Sequence, residues 1–423
     1  MNLNRGETIS KWSPKAGLAF LYAGTAALCY RLYLRQAIQF PGALGTYRSD
    51  LLPHIEEGLA GTGYSLMEFL YGFLLGKLHW NEKAIAVILM LITIGTVYLG
   101  YRLMCRIARD TPKDLLHLFS FFCIFVFAIY IKALNPHRYL GMQHGSAWHN
   151  DTYTAMRFAG MLVLLFYFKF QRTYFTEYHL REMLVFTVLL TVTNMIKPNF
   201  IFAFGPVMAL YLLCDMIRTK GKTFWMQVFF GVPVLISLGI VYFQVTRLFA
   251  DPEMSVSSGP MFGFSFAYTL RLRAQTPVAS LLQSIAFPLF IILFHLRRLK
   301  TDRFVATSWL TWLFGLCEYL FIHEEGYRKD HGNLAWGYSF CIYLVFLVSS
   351  ACYLEDLAAF FRERRGTMDR EECAAAEGRR ALAVKSTAGR VIYLSVATVL
   401  FALHLVSGIT YFIHAFQGGS IWI

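Results

Sequence analysis

Four stretches of this chain set acid–base or charged residues among apolar ones. The run SDLLPHIEEGLAG, Ser49 to Gly61, reads as a short amphipathic helix with Asp50, His54 and Glu57 on one side and Leu52, Ile55 and Leu59 on the other. A carboxylate beside an imidazole can accept, hold or pass a proton; Asp50 can equally be the N-cap of the helix that follows. Residues 133–157 gather Asn135, His137, Arg138, His144, Trp148, His149, Asn150, Asp151 and Arg157. The spacing of those three histidines matches no zinc motif, so a polar site or an interfacial anchor is the expectation, with a divalent metal left open. The run HEEGYRKDHGNLAWGY, His323 to Tyr338, packs Glu325, Arg328 and His331 between glycines and aromatics, either as a solvated loop or as a polar site.

The fourth stretch is Asn194 to Asn199, where Lys197 and Pro198 interrupt apolar sequence. Proline ends the helix before it and biases Lys197 out of the helical region. The preceding arm is about 15 residues, roughly 22 Å, short of the roughly 30 Å hydrocarbon core. The turn is therefore expected to sit recessed in the membrane, which is tolerated where protein or a watery cavity surrounds it. Lys197, with Arg157, would then line that cavity and offer a cation to an anionic lipid head group; the alternative is that Lys197 snorkels to the interface.

Positioning these residues falls to apolar helices. The 423 residues are 57% hydrophobic and 15% charged, with mean hydropathy +0.47, against roughly 45–50% and 25% in soluble domains. Apolar runs of about the kind that crosses a bilayer occur at 16–38, 84–103, 114–132, 154–170, 182–196, 199–217, 223–246, 278–296, 304–322, 336–353 and 389–411, about eleven helices. The expected fold is all-α and polytopic, a single integral membrane domain over 1–423. Its first external loop, 39–83, should carry interfacial helices, the second opening at a Ser65/Glu68 capping box. Residues 354–388 should form a charged cytoplasmic connection. With the N-terminus cytoplasmic and the first helix retained, the loops on that side hold 25 of the 39 Lys and Arg, so most of the +13 charge reads as an orientation signal. All eight cysteines fall in helices or on the cytoplasmic side, so no external disulfide is expected. No basic, aromatic-interleaved patch suggests nucleic acid. No Walker or GxGxxG loop is present, and the cytoplasmic loops are too short for a nucleotide-binding domain.

YRSDLLPHIEEGLAGTGYSL, from Tyr47 to Leu66, resembles the first external loop of the GT-C class of multi-pass membrane glycosyltransferases, with an Asp followed four residues later by a His. WHNDTYTAMR (Trp148 to Arg157), NMIKPNF around Lys197 and GYRKDHGNLAWGY after Glu325 also look like pieces of bacterial relatives of that class. The resemblance covers most of the chain in topology, through short, degenerate motifs. Larger members carry a substantial soluble domain after the last helix; none is expected here, which leaves the acceptor unassigned. The resemblance implies an inverting transferase that takes sugar from a polyprenyl-phosphate donor at the external face of the cell membrane. Asp50 would be its catalytic carboxylate and His54 its neighbour. Donor phosphate or substrate would be held by Lys197, Arg328, Arg157, His149, Asn150, Asp151, Glu325 and His331. Expected partners are the lipid-linked sugar, an unknown glycan, lipid or protein acceptor, and membrane lipids. A transporter or flippase of lipid-linked sugars is the alternative, disfavoured by one helix interruption without a repeat. A membrane acyltransferase would want a buried histidine, and the mid-helix candidate, His404, reads as a satisfied core residue.

Overall fold

A run of about 20 apolar residues can satisfy its backbone in lipid only by coiling on itself. A computed structural model describes residues 5–46, 49–137, 139, 142–248, 262–365, 384 and 386–419. Its helices, in order, are α1 (Arg5–Ala37), α2 (Leu51–Ala60), α3 (Leu66–Tyr71), α4 (Glu82–Ile107), α5 (Lys113–Cys123), α6 (Asp151–Phe170), α7 (Leu180–Ile196), α8 (Asn199–Arg218), α9 (Phe224–Leu248), α10 (Tyr268–Arg273), α11 (Pro277–Phe294), α12 (Arg298–Thr301), α13 (Arg303–Phe321), α14 (Ala335–Arg364) and α15 (Thr387–Phe416). Two short antiparallel ribbons join them: β1 (Pro41–Gly42) with β2 (Gly45–Thr46), and β3 (Phe262–Phe264) with β4 (Ile322–Glu324). The fold is an all-α polytopic membrane protein.

Nine helices among the described residues are long and apolar enough to cross a membrane: α1, α4, α6, α8, α9, α11, α13, α14 and α15. The sequence led us to expect about eleven. One of the other two, α7, is helical as expected but only 17 residues long. The other, 114–132, is helical only in α5 and continues past Cys123 without helix. Residues 124–128 of that continuation are buried, and α11, α15 and Ser146 supply hydrogen bonds to its backbone. Phe127 N–H donates to His404 O at 3.2 Å and Ile129 N–H to Gln283 O at 2.9 Å. His404 Nδ1 bonds Phe127 O at 2.6 Å, Ser407 Oγ donates to Ala128 O at 2.7 Å, and Ser146 Oγ donates to the carbonyls of Ile124 and Val126. Non-helical backbone at membrane depth is tolerated on these terms. His404 is thus a satisfied core residue, with Nε2 accepting from Phe287 N–H. Gly408 lets α15 approach so closely that a Cβ there would strike the Phe125 carbonyl.

The bundle is built round α14, buried at every residue from Gly337 to Asp356, as a helix apolar on all sides must be. It packs against α4, α5, α8, α11, α13 and α15. Peripheral helices turn large apolar side chains outward, among them Leu235 and Tyr242 of α9 and Ile392 and Val406 of α15. α14 runs on to Arg364, so the start of the 354–388 connection is helical; residues 366–383, with Cys373, and Lys385 lie outside the described residues.

Residues 39–83 carry the two expected helices. Ser65 caps α3, accepting from Met67 N–H at 3.3 Å while Glu68 accepts from Ser65 N–H at 2.7 Å, the expected capping box. A π-helical turn, Gly72–Lys77, follows. α2 crosses the junction of α3 and this turn backbone against backbone at Gly58 and Gly72, where any side chain would collide. The buried side of α2 is Leu51 and Ile55, while Leu59 is exposed, so its apolar face is narrower than the spacing suggested.

Candidate functional site

The first turn of α6 organises the site through three consecutive residues. Asn150, its N-cap, donates from Nδ2 to Asp50 Oδ2 at 2.5 Å. Asp151 accepts from both His54 Nδ1 and Tyr71 OH at 2.6 Å. Thr152 accepts from Lys197 Nζ at 2.9 Å. Carboxylates gathered at a helix N-terminus are favoured by its dipole, and the helix supplies a rigid base for side chains arriving from α2, α3 and the α7–α8 turn.

Asp50 sits immediately before α2, and its N–H donates to His149 O at 2.9 Å. Its side chain makes no cap bond to α2; the carboxylate is turned toward Asn150 instead. His54 lies one turn on. Burial pulls its imidazole pKa down, but Asp151 and then Glu68, whose Oε1 is 3.9 Å from Nε2, raise it more, to about 9. It is therefore a cation at neutral pH. Burial raises the Glu68 carboxyl above its usual range. Glu68 Oε2 accepts from the N–H groups of Tyr64 and Ser65, and Oε1 is buried without a hydrogen-bond partner.

Lys197 occupies the predicted break. Its backbone is extended, φ −158° and ψ 121°, as the following proline requires. Ser65 Oγ ties the end of α7 to α3 by donating to Ile196 O at 2.7 Å, and Gln244 of α9 donates to Met195 O at 3.0 Å. The ammonium lies 5.2 Å from the centre of the Trp336 ring, a cation–π distance. It opens onto a cavity of about 70 Å³ that is also lined by His54, Glu68, Thr152, Gln244, Glu324, Arg328 and Asn333. Arg328 Nε donates to Glu324 Oε1 at 3.1 Å, and Asn333 holds the other oxygen at 2.6 Å.

A second cavity, of about 90 Å³, lies across Trp336, with walls that include Tyr139, Gln143, His144, Arg273, Tyr319 and His331. His149 is buried behind it, between the hydroxyls of Tyr139 at 2.9 Å and Tyr411 at 3.3 Å, and burial lowers its pKa. His144, stacked on Phe127 with centroids 4.2 Å apart, falls to about 3 through burial and the neighbouring His149. Both are neutral rings near pH 7.

The structure thus brings together Asp50, His54, His149, Asn150, Asp151, Lys197 and Arg328, and places His331 on the second cavity. Arg157 stands apart. It is 1% exposed, donates to Gly145 O at 3.0 Å and lies over Tyr343 at 5.0 Å, so it is a packing residue behind the site and not on the cavity wall. Glu325 does not line the cavity; it pairs with His323 and Lys329, each at 3.0 Å. His137 is exposed, and Arg138 lies outside the described residues. Among the described residues no three His, Cys, Asp or Glu side chains converge on one point. Sequence reasoning passed over Glu68, Tyr71, Thr152, Glu324 and Trp336. Glu68 had a signal, its N3 position in the capping box, but that signal spoke for helix geometry. Neither a protein-family model nor a curated protein matches this chain.

Proposed function

We propose that this protein is a membrane glycosyltransferase that moves a sugar from a polyprenyl-phosphate donor to an acceptor hydroxyl at the outer face of the membrane. The observation that carries the reading is the cavity at the α7–α8 break, where Lys197 and Arg328 line the wall with His54 and Glu68, and where the α6 residues that hold Lys197 and Asp50, Thr152 and Asn150, are two positions apart. Two cations in a recessed pocket suit a departing lipid phosphate, whose charge grows in the transition state. α9, which contributes Val241, Gln244 and Val245 to the wall and exposes Tyr242 outward, gives a polyprenyl chain an apolar surface to follow. The second cavity, aromatic and amide-lined, suits an acceptor sugar.

In this mechanism the acceptor oxygen attacks the anomeric carbon as the bond from that carbon to the phosphate oxygen breaks. The hydroxyl proton passes to Asp50, and the electron pair leaves with polyprenyl phosphate, neutralised by Lys197 and Arg328. His54, held as an imidazolium by Asp151, adds positive charge on the same wall. Asn150 aims the Asp50 carboxylate.

The test uses radiolabelled lipid-linked sugars with a membrane extract as acceptor in detergent micelles, where a flippase has no second compartment to serve. Asp50→Asn is expected to lower turnover by about 10²- to 10⁴-fold, the share of a positioned base, in a protein that elutes as wild type does. Lys197→Met is expected to raise the donor concentration needed for half-maximal rate. Wild-type turnover in Asp50→Asn would remove the base assignment. No transfer from any polyprenyl-linked sugar by the wild-type chain would remove the reading.

A further inference from the structure

A larger cavity lies at the opposite end of the bundle. Its position follows from α4, which starts beside the π-helical turn and whose 26 residues carry it about 39 Å away. The cavity there, about 410 Å³, is lined by Arg106 and Arg109 from the end of α4, Arg172 from the α6–α7 turn and Arg298 of α12, with Asp110, Asp302 and Glu355. Four guanidiniums from three separate parts of the chain meet in one concavity.

Two of its three acidic residues are engaged within the fold, one with an arginine of the cavity itself and one at a helix terminus. Glu355 pairs with Arg298. Asp302 caps α13, accepting from the N–H groups of Phe304 at 2.9 Å and Val305 at 3.4 Å. Arg106 gives one donor to Leu165 O at 2.8 Å and Arg109 one to Arg106 O at 3.5 Å, out of the five N–H donors each guanidinium carries. Orientation by positive charge explains basic residues at this end, but that rule is served by lysine as well as by arginine. Lys113, Lys169 and Lys300 lie in or beside the segments that line it, and Lys220 and Lys222 in the α8–α9 turn, yet no lysine lines the cavity. Arginine at every cationic position is what bidentate recognition of a phosphate selects, because the planar fork matches two of its oxygens while an ammonium meets it as a point charge.

We propose that this cavity binds a phosphate group, carried by an anionic lipid of the adjoining leaflet or by a small soluble phosphate. The site is independent of the sugar chemistry at the other end. The test uses the full chain in nanodiscs. With phosphatidylcholine alone, inorganic phosphate is titrated against chloride at equal ionic strength while thermal unfolding is followed; in a second arm, phosphatidic acid is built into the disc and lipid retained by the protein is counted by native mass spectrometry. A ligand that binds only the folded state raises the midpoint with its concentration. Saturable stabilisation by inorganic phosphate identifies a soluble ligand; selective retention of phosphatidic acid identifies a lipid head group. In either case Arg109→Gln and Arg172→Gln are expected to weaken binding about tenfold each, the scale of one charge-assisted hydrogen bond. Arg172→Lys should recover little of it, and Lys222→Gln, outside the cavity, should change nothing. Equal effects of phosphate and chloride with no selective retention of phosphatidic acid, or equal losses in Lys222→Gln and Arg172→Gln, would overturn the proposal and leave these residues as orientation charges.

Discussion

Replacing Asp151 with Asn keeps the shape of the side chain and removes the charge that holds His54 protonated. Asp151 is 2% exposed and touches His54 and Tyr71 at 2.6 Å; a buried ion pair that loses one partner typically costs about 3–5 kcal/mol. The pH dependence makes the prediction specific. His54 titrates at about 9 in the fold against an ordinary 6.5, with its side chain 15% exposed, and that difference corresponds to about 3 kcal/mol. Because the folded value is the higher one, this stability is fully present below pH 6.5 and is lost as pH rises through 9. The unfolding midpoint of the wild type, read from tryptophan fluorescence in detergent, should therefore decline between pH 6.5 and 9.5 by more than that of Asp151→Asn. The gap between the two should be widest at pH 6.5 and narrow by about 3 kcal/mol at the alkaline end. His54→Gln should show the same flattened profile. Parallel curves for wild type and Asp151→Asn across the range would mean that His54 is not held as a cation, and would remove its positive charge from the cavity.

Three further substitutions probe what positions the site. Ser65→Ala removes both the α3 cap and the bond to Ile196 O; a loss of about 1–3 kcal/mol is expected, with a higher donor requirement because the Lys197 turn loses its tie to α3, and an unchanged donor requirement would show that the turn holds itself. Gly408→Ala should sharply lower the yield of monodisperse protein, since its Cβ would meet the Phe125 carbonyl, whereas Gly239→Ala, with nothing within 4 Å, should express as wild type. His404→Leu strips Phe127 O and Phe287 N–H of their side-chain partner and should cost about 1–3 kcal/mol per group left buried and unpaired, read as a lower unfolding midpoint that His404→Gln partly restores.

Spans were legible wherever an apolar run was also a helix, because hydropathy and length decide that together. They were not legible at 114–132. Hydropathy counts side chains and is blind to backbone, so Ile124 to Ile129 reads the same coiled or extended. What sustains the non-helical form there is His404 and Ser407, which lie 277 and 279 residues away from the carbonyls they bond. The Lys197 turn was legible because proline acts locally. The pairing of His54 was not: helical periodicity set it beside Asp50 and Glu57, while its partner is Asp151, 97 residues on. Likewise the HEEG run could not say which glutamate turns inward. Glu324 does, fixed by Arg328 and Asn333, while Glu325 is paired with His323 and Lys329.

Lys197, and Arg157 after it, were both expected on the cavity wall, and what they touch divides their roles. Arg157 is spent on Gly145 O and on the faces of Tyr343 and Tyr153. Gly145 in turn presses so closely on the α14 backbone at Tyr343 that a Cβ there would come within 2.8 Å of Tyr343 N. Through these contacts Arg157 pins the 142–148 segment to the central helix, and that segment leads directly into Asn150, Asp151 and Thr152. Those three residues then hold Asp50, His54 and Lys197 respectively. A cation buried deep in the bundle thus fixes the turn against which the outer groups are aligned, while the half-buried lysine at the helix break is left facing the cavity. Rigid support beneath groups held within hydrogen-bond distance is what a site needs if it is to act on charge developing in a substrate.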